Sequence, residues 1–180
     1  VVAVTGGTSH VCALGSDGSV KCWGVNQFGR LGDGTTLNKS TPVAVSSLTS
    51  AVALAGGHDH TCALLSDGTG RCWGKNNLGQ LGDGSVAGKT TPVAVSFLSA
   101  AVAITAGEAH TCALLSDGTA KCWGYNPFGE LGDGTSNNSS LPVSVSSLVS
   151  AMAITSGNNQ TCALLSDGTA KCWGYNNFGQ

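Results

Sequence analysis

The chain has 180 residues, of which 27 are Gly, 4 are Pro and 10% are charged, with a formal net charge of −2. That composition fits neither a disordered tail nor an ordinary mixed-charge enzyme domain, and eight basic residues spread along the whole length leave no footprint for nucleic acid. No apolar run approaches the roughly 20 residues that cross a bilayer, and Val1-Val2-Ala3-Val4 lacks the parts of a signal peptide, so neither membrane insertion nor an attached leader is expected.

Slid against itself, the sequence matches at one offset, 50 residues, from end to end. Cys12, Cys62, Cys112 and Cys162 fall in register, as do Cys22, Cys72, Cys122 and Cys172, and so do Trp23, Trp73, Trp123 and Trp173. The run from Thr111 to Asn126 is identical to the run from Thr161 to Asn176. The organisation is therefore one continuous array: repeats at 1–50, 51–100 and 101–150, and a partial fourth at 151–180. Periods of this size mean propellers or solenoids.

In chain order within the second unit, Ala51 to Leu54 alternate small and large apolar residues and read as a first strand. His60 to Leu65 make a second strand, Thr69 to Trp73 a third and Pro92 to Val95 a fourth, each bounded by Gly, Asp, Asn or Ser. No window holds a helical period, because Gly or Pro interrupts nearly every candidate. An all-β fold follows, with four antiparallel strands per unit, as one propeller blade requires.

Between the second and third strands, Ser66-Asp67-Gly68 reads as a three-residue hairpin loop with Gly in the left-handed region. Counting outward from Asp67, Leu65 faces Thr69, Leu64 faces Gly70, Ala63 faces Arg71 and Cys62 faces Cys72. If the pair flanking the loop is hydrogen-bonded, alternation puts the two cysteines at a non-hydrogen-bonded pair, the closer kind. Eight cysteines allow 105 pairings. The repeat and the hairpin count select one: Cys12 with Cys22, Cys62 with Cys72, Cys112 with Cys122 and Cys162 with Cys172. A zinc site competes for His60, Cys62 and Cys72, but no fourth ligand repeats, and Gln160 replaces the His where both cysteines persist. Disulfides imply an oxidising compartment: secreted, periplasmic or cell surface.

The units His110-Thr111-Cys112-Ala113-Leu114, Asp117-Gly118, Trp123-Gly124-Tyr125-Asn126 and Gly129-Glu130-Leu131-Gly132-Asp133-Gly134 resemble the regulator of chromosome condensation repeat family. The resemblance covers the whole chain and implies blades of a seven-bladed β-propeller. It implies little about activity, since the family includes a nucleotide exchange factor, an ultraviolet-B photoreceptor and β-lactamase inhibitors. The photoreceptor's Trp positions correspond to Asp59, Ala109 and Asn159, so light sensing is not expected. A constant period leaves no room for the exchange factor's projecting hairpin. Seven units of this size need about 350 residues, so the resemblance implies a segment of a longer propeller. The alternative is a structural half-array associating end to end through open blades.

No catalytic, cofactor or metal residues assemble from the sequence. His10, His60 and His110 have no nucleophile and orienting acid and are read as structural, bonded to loop backbone. Asp17, Asp67, Asp117 and Asp167 belong to hairpin turns, and Asp33, Asp83 and Asp133 to Leu-Gly-Asp-Gly turns, which leaves only Asp59, Glu108 and Glu130. The stretch Gly82 to Thr90 fails as a phosphate loop on spacing and reads as a variable surface loop. Asn38, Asn137, Asn138 and Asn159 begin glycosylation sequons. Positions that change between units are the candidate protein-binding face: His58, Asp59 and Glu108, then Lys75, Tyr125 and Tyr175, then Arg30 and Glu130. If the units stack in register, each set draws an arc of loop residues, with the two tyrosines as anchors for an unidentified protein partner.

Overall fold

The computed structural model describes residues 1–180. Each unit forms its own antiparallel sheet, with strands adjacent in chain order. The first contains β1 (Ala3–Gly6), β2 (His10–Leu14), β3 (Val20–Gly24) and β4 (Lys39–Ala44), and the second β5 (Ala51–Gly56), β6 (His60–Leu65), β7 (Gly70–Gly74) and β8 (Lys89–Ala94). The third contains β9 (Ala101–Ala106), β10 (His110–Leu115), β11 (Ala120–Gly124) and β12 (Ser139–Ser144). The partial unit supplies β13 (Ala151–Ser156), β14 (Gln160–Leu165) and β15 (Ala170–Gly174). The innermost strands β1, β5, β9 and β13 pack against one another in succession.

The β6–β7 hairpin has the register counted from its loop: Cys62 opposes Cys72, Ala63 opposes Arg71 and Leu64 opposes Gly70. The Leu65 amide donates to the Thr69 carbonyl at 2.9 Å and Gly68 sits at φ 77°, the left-handed value its turn demands. Cys62 and Cys72 are disulfide-bonded with Cα atoms 4.1 Å apart, the short spacing of a non-hydrogen-bonded pair, and the other three hairpins repeat the bridge. The fourth strand begins earlier than its Pro-Val-Ala-Val sequence predicts. A bulge between Cys72 and Gly74 lets Gly74 pair with Lys89, so Lys89 and Thr90, expected in a surface loop, are strand residues.

The core lies at the seams between blades. One cluster joins the Cys12–Cys22 bridge, Leu14, Val20, Leu31, Val45 and Leu48 of the first unit to Ala51, Ala63 and Trp73 of the second. The next two seams repeat it. A hydrogen-bonded relay also crosses each seam. Trp73 Nε1 and Thr61 Oγ1 both donate to the Arg30 carbonyl of the preceding blade, at 2.8 and 2.9 Å, and Thr61 Oγ1 lies 2.8 Å from His10 Nε2. His60 meets Thr111 and His110 meets Thr161 in the same way. These histidines are structural, as expected, but their partner is a hydroxyl on the next blade rather than loop backbone. Gly57 makes room for the ring: a Cβ there would collide with His60 Cε1 and come within 2.8 Å of the Gly107 carbonyl oxygen. The relay is incomplete at two positions, Val11 where the other blades have Thr and Gln160 where they have His.

Candidate protein-interaction face

Consecutive antiparallel strands put two loops of every blade at the same end, residues 7–9 between β1 and β2 and residues 25–38 between β3 and β4. The longer loop is held from inside. Asn26 is fully buried; its Nδ2 donates to Asp33 Oδ1 at 3.0 Å and to the Thr35 carbonyl, while its Oδ1 accepts the Leu31 amide at 3.0 Å. Asn76 and Asn126 repeat the arrangement. Burial opposes ionisation of Asp33, but hydrogen bonds from Thr35 and Asn26 and the nearby Lys39 hold its carboxyl below the usual range. The strand-and-turn pattern of the sequence gives these asparagines no role. They are constant in sequence along with Gly29, Leu31, Gly32, Asp33 and Gly34, so constancy alone does not single them out.

Of the predicted face residues, His58 and Glu108 are exposed, and Lys75, Tyr125 and Tyr175 are half-buried with their rings or stems against the seams. Arg30, Asp59 and Glu130 are corrections to the expectation of surface loop residues, being only 3%, 7% and 0% exposed. In the second and third blades the thirtieth position folds inward to accept the backbone amide two residues earlier. Gln80 Oε1 takes the Leu78 amide at 3.0 Å, and Glu130 Oε2 takes the Phe128 amide at 2.9 Å. Arg30 cannot accept, so it turns across the seam to Asp59, at 2.8 Å, with its guanidinium 5.5 Å from the centre of the Phe28 ring.

The three seams thus carry different rims on one scaffold. At the first, Asp59 also meets Lys75 at 3.4 Å and His58 at 3.1 Å, and Lys75 Nζ lies 5.0 Å from the Phe28 ring centre. Burial works against ionisation of Asp59, but Arg30, then His58 and Lys75, hold it below the normal carboxyl range. Near the second seam Leu78, Glu108, Ala109, Tyr125 and Asn159 line a hollow of about 370 Å³. Across the third, Tyr125, Phe128, Tyr175 and Phe178 form an edge-to-face series with ring centroids 6.4, 5.0 and 6.2 Å apart. Beneath it Glu130 keeps one carboxylate oxygen, Oε1, with no hydrogen-bond partner, and burial pushes its carboxyl up. Phe28, Leu78 and Phe128 do not stand out among the varying positions of the sequence, because they are large apolar residues recurring at one place in Gly-rich loops.

Four-stranded antiparallel sheets joined seam to seam around one inner edge are the blades of a β-propeller. The chain belongs to the family described as the regulator of chromosome condensation (RCC1) repeat. One pattern of that description matches residues 17–64, 72–114 and 117–164, and a second matches 1–30, 51–80, 101–130 and 153–180. The crystal structure of Prp20p from Saccharomyces cerevisiae, described with its binding properties to Gsp1p and histones, is similar at 26% identity and a TM-score of 0.86. The match covers 97% of this chain and 45% of that one. Human WBSCR16 matches at 23% identity and a TM-score of 0.87, over 99% of this chain and 48% of that one. The ectodomain of the Arabidopsis thaliana receptor kinase ACR4 matches at 23% and 0.55, over 95% and 48% respectively. The last two likenesses concern the fold alone. The chain spans less than half the length of each of these proteins.

Proposed function

We propose that the chain is part of a non-catalytic propeller scaffold that holds a protein partner on its loop face, outside the cytosol. The observation that carries the reading is the contrast at the seams. The Asn hub, the Trp–carbonyl bond and the His–Thr relay are the same from blade to blade, while the rim changes from a cationic cluster to a hollow to an aromatic series. Recognition surfaces built this way keep the anchors preorganised and vary only what the partner touches. Four hairpin disulfides, three of them buried, support a location outside the cytosol. Prp20p, named with protein ligands, supports the use of such a propeller for protein binding.

A photo-crosslinking residue at Tyr125, compared with one at Ser66 in the opposite hairpin turn, tests the face. Adducts formed at Tyr125 in the extracellular or periplasmic fraction are expected; adducts confined to Ser66 would overturn the assignment. Alkylation before lysis tests the compartment, since eight cysteines that react without reductant contradict it. A second reading, end-to-end association of copies, is favoured by the outer faces of the first and fourth blades. Val4 is 68% exposed against 9% for its equivalent Ile104, and Leu164 43% against 2% for Leu64.

A further inference from the structure

The blades place chemically different residues at equivalent seam positions, and the first seam displays what those positions recognise. There Phe28 is covered by Lys75 Nζ and the Arg30 guanidinium, and Asp59 pairs with both. At the third seam the ring is kept as Phe128, but Tyr175 stands at the lysine's position, Glu130 at the arginine's and Asn159 at the aspartate's. The aromatic ring and the carboxylate are present and the cation is not.

The charges around it agree. Lys39 and Lys89 pair with Asp33 and Asp83 in the first two blades, whereas Ser139 occupies that position opposite Asp133. Lys121 and Lys171, the only basic residues of the third and fourth blades besides His110, donate instead to the Phe97 and Ser147 carbonyls at the far end of the sheets. Glu108 is exposed and lines the hollow beside Tyr125. We infer that the hollow lined by Glu108 and Tyr125, with the adjoining rings of Phe128 and Tyr175, receives a lysine or arginine side chain of a protein partner. The cation would lie on the rings as Lys75 lies on Phe28, with Glu108 as its counter-ion. Ring faces attract cations through their quadrupole, and the attraction grows as the cation leaves water. A cation against Phe128 also lowers the cost of the buried Glu130 charge, whose Oε1 has no other partner.

The inference rests on the proposed loop-face function and adds the chemistry of the occupant. Random short peptides displayed on phage are selected on the full chain, and synthetic copies of the selected peptides are mapped by amide chemical shifts. Peptides that perturb Tyr125, Phe128 and Tyr175, lose about tenfold in affinity when their arginine becomes citrulline, and lose as much on Glu108→Gln or Tyr125→Ala are expected. Lys75→Ala removes one of the two cations over Phe28 and leaves Arg30 in place, so a second, weaker site at the first seam is expected in that variant. Loop-face peptides indifferent to citrulline would overturn the cation while leaving the face standing. Peptides seated only on the hairpin-turn face, or none selected, would overturn both.

Discussion

Thr111 Oγ1 has one proton, and it is directed to the Gln80 carbonyl at 2.9 Å, so the contact with His60 Nε2, also 2.9 Å, requires the imidazole to donate. That fixes His60 as the Nε2–H tautomer, with Nδ1 buried and without a partner; His10 and His110 follow the same logic. Burial holds all three neutral: His60 is lowered to about 3, and His10 and His110 to about 4. The unfolded chain takes up these protons near pH 6.5 and the folded chain does not, so the relay's stability is complete above that pH and lost as the pH falls toward 4. Each histidine contributes a slope of up to about 1.4 kcal/mol per pH unit in that window. Urea unfolding of His60→Gln, which places at the second blade the residue that the fourth already has at Gln160, is expected to flatten the slope between pH 6.5 and 4 by about a third; an unchanged slope would show that the ring is protonated when folded. Glu130 has the opposite sign. Its folded carboxyl is raised, so its ionisation costs stability as pH rises past the ordinary carboxylate range. Glu130→Gln, which copies Gln80, is expected to stabilise the protein by about 1 kcal/mol at pH 7 and by nothing measurable at pH 3, read from urea midpoints at the two pH values.

At the scale of elements, the hairpin is the part most completely legible in the sequence, because loop length and the alternation of a strand determine which side chains face each other. The Cys62–Cys72 bridge was readable from that count together with the 50-residue repeat. What the strand pattern could not convey was anything decided by a neighbouring blade. Arg30 and Glu130 look like exposed turn residues until the following blade covers them, and the start of β8 depends on a bulge that leaves no mark in Lys89 or Thr90 themselves. The candidate face was half legible: its rim appeared as variation among repeats, but the Phe28, Leu78 and Phe128 floor was hidden by its constancy. The hairpin bridge has a measurable share of stability. It closes an 11-residue loop, for which the chain-entropy account gives about 2.8 kcal/mol. Cys62→Ala with Cys72→Ala is expected to lower the unfolding free energy by about 3 kcal/mol, the packing loss included, with the loop-face shift pattern retained. A loss below about 1 kcal/mol would mean the seam core, not the bridge, holds the blade.

On the scale of the whole molecule, blades contact only their neighbours, so stability is close to a sum of blade and seam contributions. Within residues 1–180 the outward chemistry of the first and fourth blades can be compared with that of the internal seams. Each internal seam has a Thr on one side and a His on the other, but the outer face of the first blade offers Val11 and that of the fourth offers Gln160. Copies meeting head to tail through these faces would bury Val4 and Leu164 yet form no relay, so their association is driven by apolar contact alone. Restoring both halves supplies the missing bond. Val11→Thr with Gln160→His is expected to shift self-association to about tenfold lower concentration in sedimentation velocity, the equivalent of one buried hydrogen bond, while either single substitution shifts it little or weakens it by leaving a donor unpaired. If the double variant and the unaltered chain both sediment as 17.8 kDa monomers at every concentration, the exposed blade faces do not join copies of this chain.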